Sequence, residues 1–397
     1  MSWGVEERLL RFYCLAETRR KAEPGIAKRE KTNLDWGLFL EKARANGIGA
    51  IVYLKLKDGQ YPFLEIPGDI IEELKRDYYL NAAKNALIFK ELNSVLKAFR
   101  ESGPPVMVLK GAALASSVYI NPALRPMTDV DLLVKRKDFK IADGTMEALG
   151  YRSSDRPAGG INSFSSYLTT LDYHHSFTNS PSFHLHWHFV NSTVPNESYI
   201  NDVKMEHIWR DAEKTEIAGV ETLVMAPHHL IIHLSEHGLR VTHSLSKLIF
   251  FCDIDKAVNF FRTRLDWNKL AKESIDFRLE RMVYIGLHFT SLFMDTEIPG
   301  EVLSDLEPKR WSLGEKVFMN AVLNNRRRAG LSYFVHLAMN RGFTKKMEFV
   351  WRTFFPPRRI LAQRSYSRSG KIHPFHYFLR IHEVFLSFLR VLRSWTQ

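Results

Sequence analysis

Residues 103–134 constrain the fold more than any other part of this chain, because the hydrophobic period changes there twice. Ahead of them, GDIIEELKRDYYLNAAKNALIFKELNSVLKAFRE (68–101) carries helix-spaced apolar residues and reads as one long helix. Ser102-Gly103-Pro104-Pro105 stops it. The next stretch, VMVLKGAALASSVYINPALRPMTDVDLLVKRKDF (106–139), has a different rhythm. It reads as an apolar strand at 106–109, a helix of small residues at 112–119, and a loop marked by Asn121-Pro122 and Arg125-Pro126. A second buried strand is expected at 130–134, then an amphipathic helix over 137–149 that ends at Gly150. Short alternating runs over 151–190, among them Asp172-Tyr-His-His175 and FHLHWHF at 183–189, read as strands of one mixed sheet.

Helical periods flank this segment. Residues 1–60 read as helices, with a break at Asn46-Gly47. From Ala226 the period returns in APHHLIIHLSEHGLR and SLSKLIFFCDIDKAVNFF and runs on toward the end, with interruptions near Phe355-Pro356-Pro357 and around 365–370. The expected class is α+β: a small mixed-sheet core at 103–225, an N-terminal helical region at 1–102 and a C-terminal one at 226–397. The 397 residues suit two or three domains.

Charge is distributed unevenly. Residues 326–397 hold 15 Lys/Arg against 2 Asp/Glu, while the remainder holds 41 against 42, so the net +12 belongs to the last 72 residues. A phosphorylated substrate, an anionic membrane surface or nucleic acid could use that basicity, or it is a solubilising surface. Nothing matches an RNA-recognition signature, which leaves nucleic acid the weakest of these. The helix HYFLRIHEVFLSFLRVLRSW either lies on an anionic membrane, with Arg380, Arg390, Arg393 and Trp395 at its interface, or closes the C-terminal region as a buried helix. Its apolar residues spread around much of the helix, which favours burial. Only Cys14 and Cys252 are present, which excludes a disulfide framework and suits a reducing cytoplasm. The first residues lack a signal-peptide pattern, and no uncharged apolar window of about 18 residues is found. The expected place is therefore the cytoplasm, with the inner membrane face as a peripheral alternative.

Asp129 and Asp131 carry the chemistry. On a strand, positions i and i+2 share a face, so both carboxylates aim one way while Val130 packs behind them. Adjacent carboxylates repel and resist burial, and a divalent cation removes that penalty. Upstream, Lys110-Gly111-Ala112 opens a helix whose N-terminal N–H groups suit a phosphate, with Gly111 allowing close approach and Lys110 adding charge.

This order of strand, glycine turn, small helix and Asp-x-Asp strand resembles the nucleotidyltransferase fold of the DNA polymerase β superfamily. LKGAAL, Tyr119, Arg125 and Asp129-Val-Asp131-Leu-Leu-Val, followed by His184-Leu-His-Trp187, resemble in particular a bacterial branch of nucleotidyltransferases with poorly defined substrates. The likeness extends to LDWGLFLEKARANGI before the core and to HHLIIHLSEHG and FFPPRRIL after it. The resemblance implies a Mg²⁺-dependent enzyme, Mn²⁺ being the alternative, that moves NMP from an NTP to an acceptor such as a small molecule, sugar, peptide or protein. It implies that Asp129 and Asp131 hold metal and triphosphate, that Lys110, Gly111 and Ala112 face the phosphates, and that Arg125 lies over the site.

Two departures stand out. The turn is Lys110-Gly111-Ala112 where the superfamily has Gly-Gly or Gly-Ser. The third acid is replaced by His184, which can serve as a general base but is a poor Mg²⁺ ligand. Asp172, on a neighbouring strand, is an alternative candidate for that acid. A catalytically weak nucleotide-binding regulator or membrane-associated scaffold is the competing function. His184, His186 and His188 on one strand face offer a rival zinc or iron site, with Trp187 opposite them in the core. On the helix after Ala226, His229 and His233, and His233 and His237, are spaced i, i+4, and either turn into the cleft or line a packing face.

Overall fold

A computed structural model describes residues 3–15, 34–57, 66–153, 169–175, 180–190, 197–327, 330–340, 342–356, 358, 361 and 373–393. Helices α1 (Val5–Cys14), α2 (Trp36–Ala45), α3 (Gly49–Lys57) and α4 (Gly68–Ser102) precede the sheet region. Strand β1 (Val106–Val108), α5 (Lys110–Ser117), β2 (Asp129–Val134) and α6 (Phe139–Ala148) come after them. Next are β3 (Tyr151–Ser153), β4 (Thr170–His175), β5 (Ser182–His186), α7 (Glu197–Asp202), α8 (Met205–Arg210), β6 (Glu213–Ile217) and β7 (Val220–Val224). The remainder is helical: α9 (Pro227–Gly238), α10 (Leu248–Phe260), α11 (Trp267–Asp276), α12 (Glu280–Met294), α13 (Gly300–Leu306), α14 (Leu313–Leu323), α15 (Tyr333–Met339), α16 (Phe343–Phe354) and α17 (Pro374–Arg393). The α+β reading and the mixed sheet are both present.

The 35-residue α4 ends where the sequence demands. Gly103 adopts φ +97°, and its N–H bonds the Phe99 carbonyl at 3.0 Å, a left-handed stop that glycine accepts without strain. Ile88, Leu92, Val95, Leu96 and Phe99 recur at helical spacing and pack under the sheet, while Ile70 and Leu74 join the other core. At 1.5 Å per residue this rod is roughly 52 Å long and spans both cores.

The sheet runs β3-β4-β5-β2-β1-β7-β6. β2 pairs antiparallel with β1 and parallel with β5, and β1 pairs parallel with β7. Strand alternation divides the side chains between two cores. Val106, Val108, Val130, Leu132, Val134, Leu171, Tyr173, Phe183 and Leu185 face α4 and α6. Met107, Leu109 and Leu133 face the larger core shared with the N-terminal helices and α9–α12.

Three findings differ from the sequence reading. The β6–β7 hairpin falls in a stretch that carried no expectation. Its turn, Ala218-Gly219, has both residues at positive φ (+53° and +75°), the geometry of a tight hairpin connection. β5 ends at His186, so His188 leaves the face it was expected to share and instead accepts the Val190 N–H at Nδ1 (3.1 Å). α17 is not a buried helix: Phe375, Phe378 and Phe385 are exposed. Its register suits burial, but the described chain supplies no element to cover that face. Trp395 and residues 365–370 lie outside the described residues, as do the side chains of Arg390 and Arg393.

Candidate active site

The register of the central strands assembles the site. Asp131 stands opposite His184, and Leu133 opposite His186, across the parallel β2–β5 pair. His184 stands opposite Asp172, and His186 opposite Thr170, across the antiparallel β4–β5 pair. Residues in register share a face, so Asp129, Asp131, Asp172, His184 and His186 converge without any loop having to fold over them.

Asp131 is buried and is the hub. Its Oδ1 accepts from Lys110 Nζ at 2.8 Å and from His186 Nε2 at 2.7 Å, and His184 Nδ1 is 3.6 Å away. Burial alone would raise this carboxyl, but Lys110 and the two imidazoles hold it well below the usual carboxylate range. Asp129 sits at the strand's partly exposed start, with its Oδ2 3.1 Å from His184 Nδ1. The Thr128 hydroxyl donates to its other oxygen at 3.0 Å.

The two strand histidines are in opposite states. Burial pulls His186 down to about 4 against the pull of Asp131. A neutral His186 must donate from Nε2 to the acceptor-only carboxylate, which leaves Nδ1 to accept from the Thr170 hydroxyl. His184 goes the other way. Burial lowers it, but Asp131, Asp172 and Asp129 together outweigh burial and lift it above its ordinary value. Asp172 Oδ1 lies 3.7 Å from its Nε2.

Lys110 opens α5 with φ +44°, a left-handed backbone uncommon for a residue with a side chain. Its ammonium is buried, and desolvation pulls it down against the attraction of Asp131. No side chain caps the N-terminus of α5, where Gly111 and Ala112 supply the next N–H groups. A Cβ added at Gly111 would meet Met127 at 3.4–3.6 Å and Arg125 Nη1 at 3.8 Å, ordinary contact distances, so packing does not by itself require glycine there.

Arg125 does not project freely over this face. Its Nε donates to both oxygens of buried Asp253 on α10 at 2.8 and 3.0 Å, and Tyr119 donates to the same carboxylate at 2.7 Å. The sequence reading missed Asp253, and it missed the buried pair of Glu236 on α9 with Arg240 just beyond its end. The positive charge of Arg240 acts on both Lys110 and His186. Both were marked in the sequence: Glu236 and Arg240 are charges four apart on an apolar helix, and Asp253 interrupts LIFFCDI. His233 is buried and His237 partly buried under the site face, both held well below their ordinary range first by burial and then by Lys110 and Arg240. His228 and His229 lie elsewhere, against Glu273.

The donor set fits a divalent cation. Asp131, His184 and His186 each offer a ligand atom, all within 4.8 Å of one another, and Asp129 adjoins them. Two imidazoles beside carboxylates suit Mn²⁺ or Zn²⁺ better than Mg²⁺.

The family model described as "uncharacterised nucleotidyltransferase" matches residues 32–295 of the 397. The chain belongs to that family. The matched range takes in α2 to α12 and thus every residue of the site described above. A search of curated proteins found no match. Among solved structures, this nucleotidyltransferase family member is similar to the antibiotic-resistance factor ANT(2'')-Ia, whose solution structure was described as showing substrate-regulated conformation dynamics. The two share 13% identity over 51% of this chain and 96% of that one, with a TM-score of 0.33.

Proposed function

We propose that this chain is a metal-dependent nucleotidyltransferase that moves NMP from an NTP to an acceptor hydroxyl or phosphate. The observation that carries the reading is the convergence of two strand carboxylates with His184 beside an uncapped helix N-terminus, inside a chain of this family. Asp129 and Asp131 would hold the cation, with His184 beside them, and Mn²⁺ suits that donor set better than Mg²⁺. When bound, the cation supplies charge neutralisation at the triphosphate and the leaving pyrophosphate. Gly111 and Ala112 would present backbone N–H groups to a phosphate at the uncapped start of α5. Lys110, poised between Asp131 and that turn, exchanges its carboxylate for phosphate oxygens. His184 occupies the third-acid position and takes the proton of the acceptor hydroxyl, with Asp172 steadying the imidazolium that results.

Calorimetric titration of the four NTPs with Mg²⁺ or Mn²⁺, alongside pyrophosphate release, tests this. Binding and release that require both the metal and the pair Asp129 and Asp131 support it. No binding, or binding unchanged in Asp129→Asn/Asp131→Asn, removes it. Metal-dependent binding without release would favour the alternative of a nucleotide-binding module, in which the loss of the third acid has silenced chemistry.

A second feature supports a membrane-surface location for either function. Phe343, Met347 and Trp351 recur at i, i+4 and i+8 on α16 and are exposed, Phe343 by 80% and Trp351 by 62%. Phe375, Phe378 and Phe385 continue the aromatic surface on α17, which packs on α16. Lys345, Lys346, Arg352 and Arg358 accompany them in a region of strongly positive balance. Such a surface suits a helix pair lying on anionic lipid, and no helix among the described residues is long and apolar enough to cross a bilayer.

A further inference from the structure

A second cluster of metal-ligating side chains lies away from the strand face. It joins three elements of the C-terminal half. Asp211 caps the C-terminus of α8 just before β6, His228 and His229 open α9, and Glu273 stands on α11. One donor atom from each lies within 4.8 Å of all the others. His229 Nε2 is 2.5 Å from Glu273 Oε2. His228 Nε2 is 3.5 Å from the same oxygen and 3.6 Å from Asp211 Oδ2.

His228 is the telling residue. It is only 6% exposed, yet its Nε2 has no hydrogen-bond partner. A buried polar atom ordinarily finds one, and leaving it unmade is costly. Here the orphaned nitrogen points between two carboxylates at distances too long for hydrogen bonds and close to the spacing of donors around a shared ion. Zinc bonds of about 2.0–2.2 Å in a tetrahedron place neighbouring donors roughly 3.3–3.6 Å apart.

We propose that Asp211, His228, His229 and Glu273 form a structural zinc site. Two imidazoles with two carboxylates match zinc and disfavour Mg²⁺ and Ca²⁺, which take oxygen donors. Four protein donors fill a tetrahedral set and leave no open position, so the site staples rather than catalyses. His207 Nδ1, 3.1 Å from Glu273 Oε1, supplies the outer contact that orients a ligating carboxylate. Arg210 does the same for Asp211 at 2.9 Å. Lys269 Nζ, 2.7 Å from Asp211 Oδ2, holds the place that the cation's charge takes over; a third of its side chain is exposed, so it can swing into solvent. The staple would tie α9 and α11 to the junction where α8 enters the sheet.

The test uses the full chain, stripped with chelator and titrated with zinc against a chromophoric competitor, and with Co²⁺ for its absorption spectrum. His228→Gln is the decisive variant because its nitrogen has no hydrogen bond to lose, and far-UV circular dichroism checks that it folds. Asp131→Asn/His184→Gln removes two of the three strand donors and so disables the strand-face set. One zinc per chain in that double variant, a tetrahedral Co²⁺ spectrum, and affinity weakened more than about 100-fold by His228→Gln, beyond the cost of an outer-shell change, are expected. Zinc affinity unchanged in His228→Gln, zinc lost only with the strand donors, or no zinc held by the native chain would each overturn the assignment.

Discussion

Asp131 shows how a buried carboxylate can be satisfied by the chain's own donors. Its burial is tolerated because an ammonium and an imidazole donate to it, and both belong to the chain. His184 is tuned upward by three carboxylates, so it becomes a neutral base only above its ordinary range. If it takes the acceptor proton, turnover rises with pH along one ionisation limb, and His184→Ala lowers turnover by about 10²-fold or more while abolishing that limb. A pH–rate profile of the two proteins checks this. Arg125 makes a different prediction. Removing it leaves Asp253 buried with only Tyr119 as a donor among the described contacts, so Arg125→Met should cost about 3–5 kcal/mol. Arg125→Met/Asp253→Leu should recover much of that loss, and urea denaturation of the set measures it.

Among the elements, the strands were the least evenly legible. β1, β2 and β5 stood out because apolar runs were cut by Gly, Pro and charge. The β6–β7 hairpin did not, because EKTEI and VETLV alternate weakly and their turn lacks the Asn-Gly signal. Ala218 occupies a left-handed position there that glycine tolerates better. Ala218→Gly should therefore stabilise the chain by up to about 1 kcal/mol, read as a raised midpoint in chemical denaturation. The register of β2 against β5 was also beyond the sequence. That His184 faces Asp131 comes only from parallel pairing.

The whole molecule stores many neutral histidines. His186, His188, His243 and His336 are each lowered to about 4, chiefly by burial. The unfolded chain protonates them near 6.5, so between about 6.5 and 4 it binds more protons than the fold does. Their stabilising share is complete above about 6.5 and is lost as pH falls toward 4. The melting temperature should drop by more than about 5 °C between pH 7 and 5. His336→Gln, which keeps a donor for the Leu239 carbonyl, should shallow that drop. At the same scale, the aromatic face of α16 and α17 should bind vesicles containing anionic lipid and not neutral ones. Phe343→Ser/Trp351→Ser should weaken this in a co-sedimentation assay, and added salt should weaken it further.

The sequence by itself determined the class, the order of elements from α4 to β5, the return to helices after Ala226 and the placing of two carboxylates on one strand face, because those depend on local period, turn residues and the cost of placing charge in an apolar strand. It also located the basicity in the last 72 residues. Tertiary structure decided which residues meet. Lys110 reaches Asp131 across 21 positions, Arg125 reaches Asp253 across 128, and His229 reaches Glu273 across 44. Such contacts are set by strand register and helix packing, in which a shift of one residue moves every side chain to the other face. No local spacing in the chain encodes that choice.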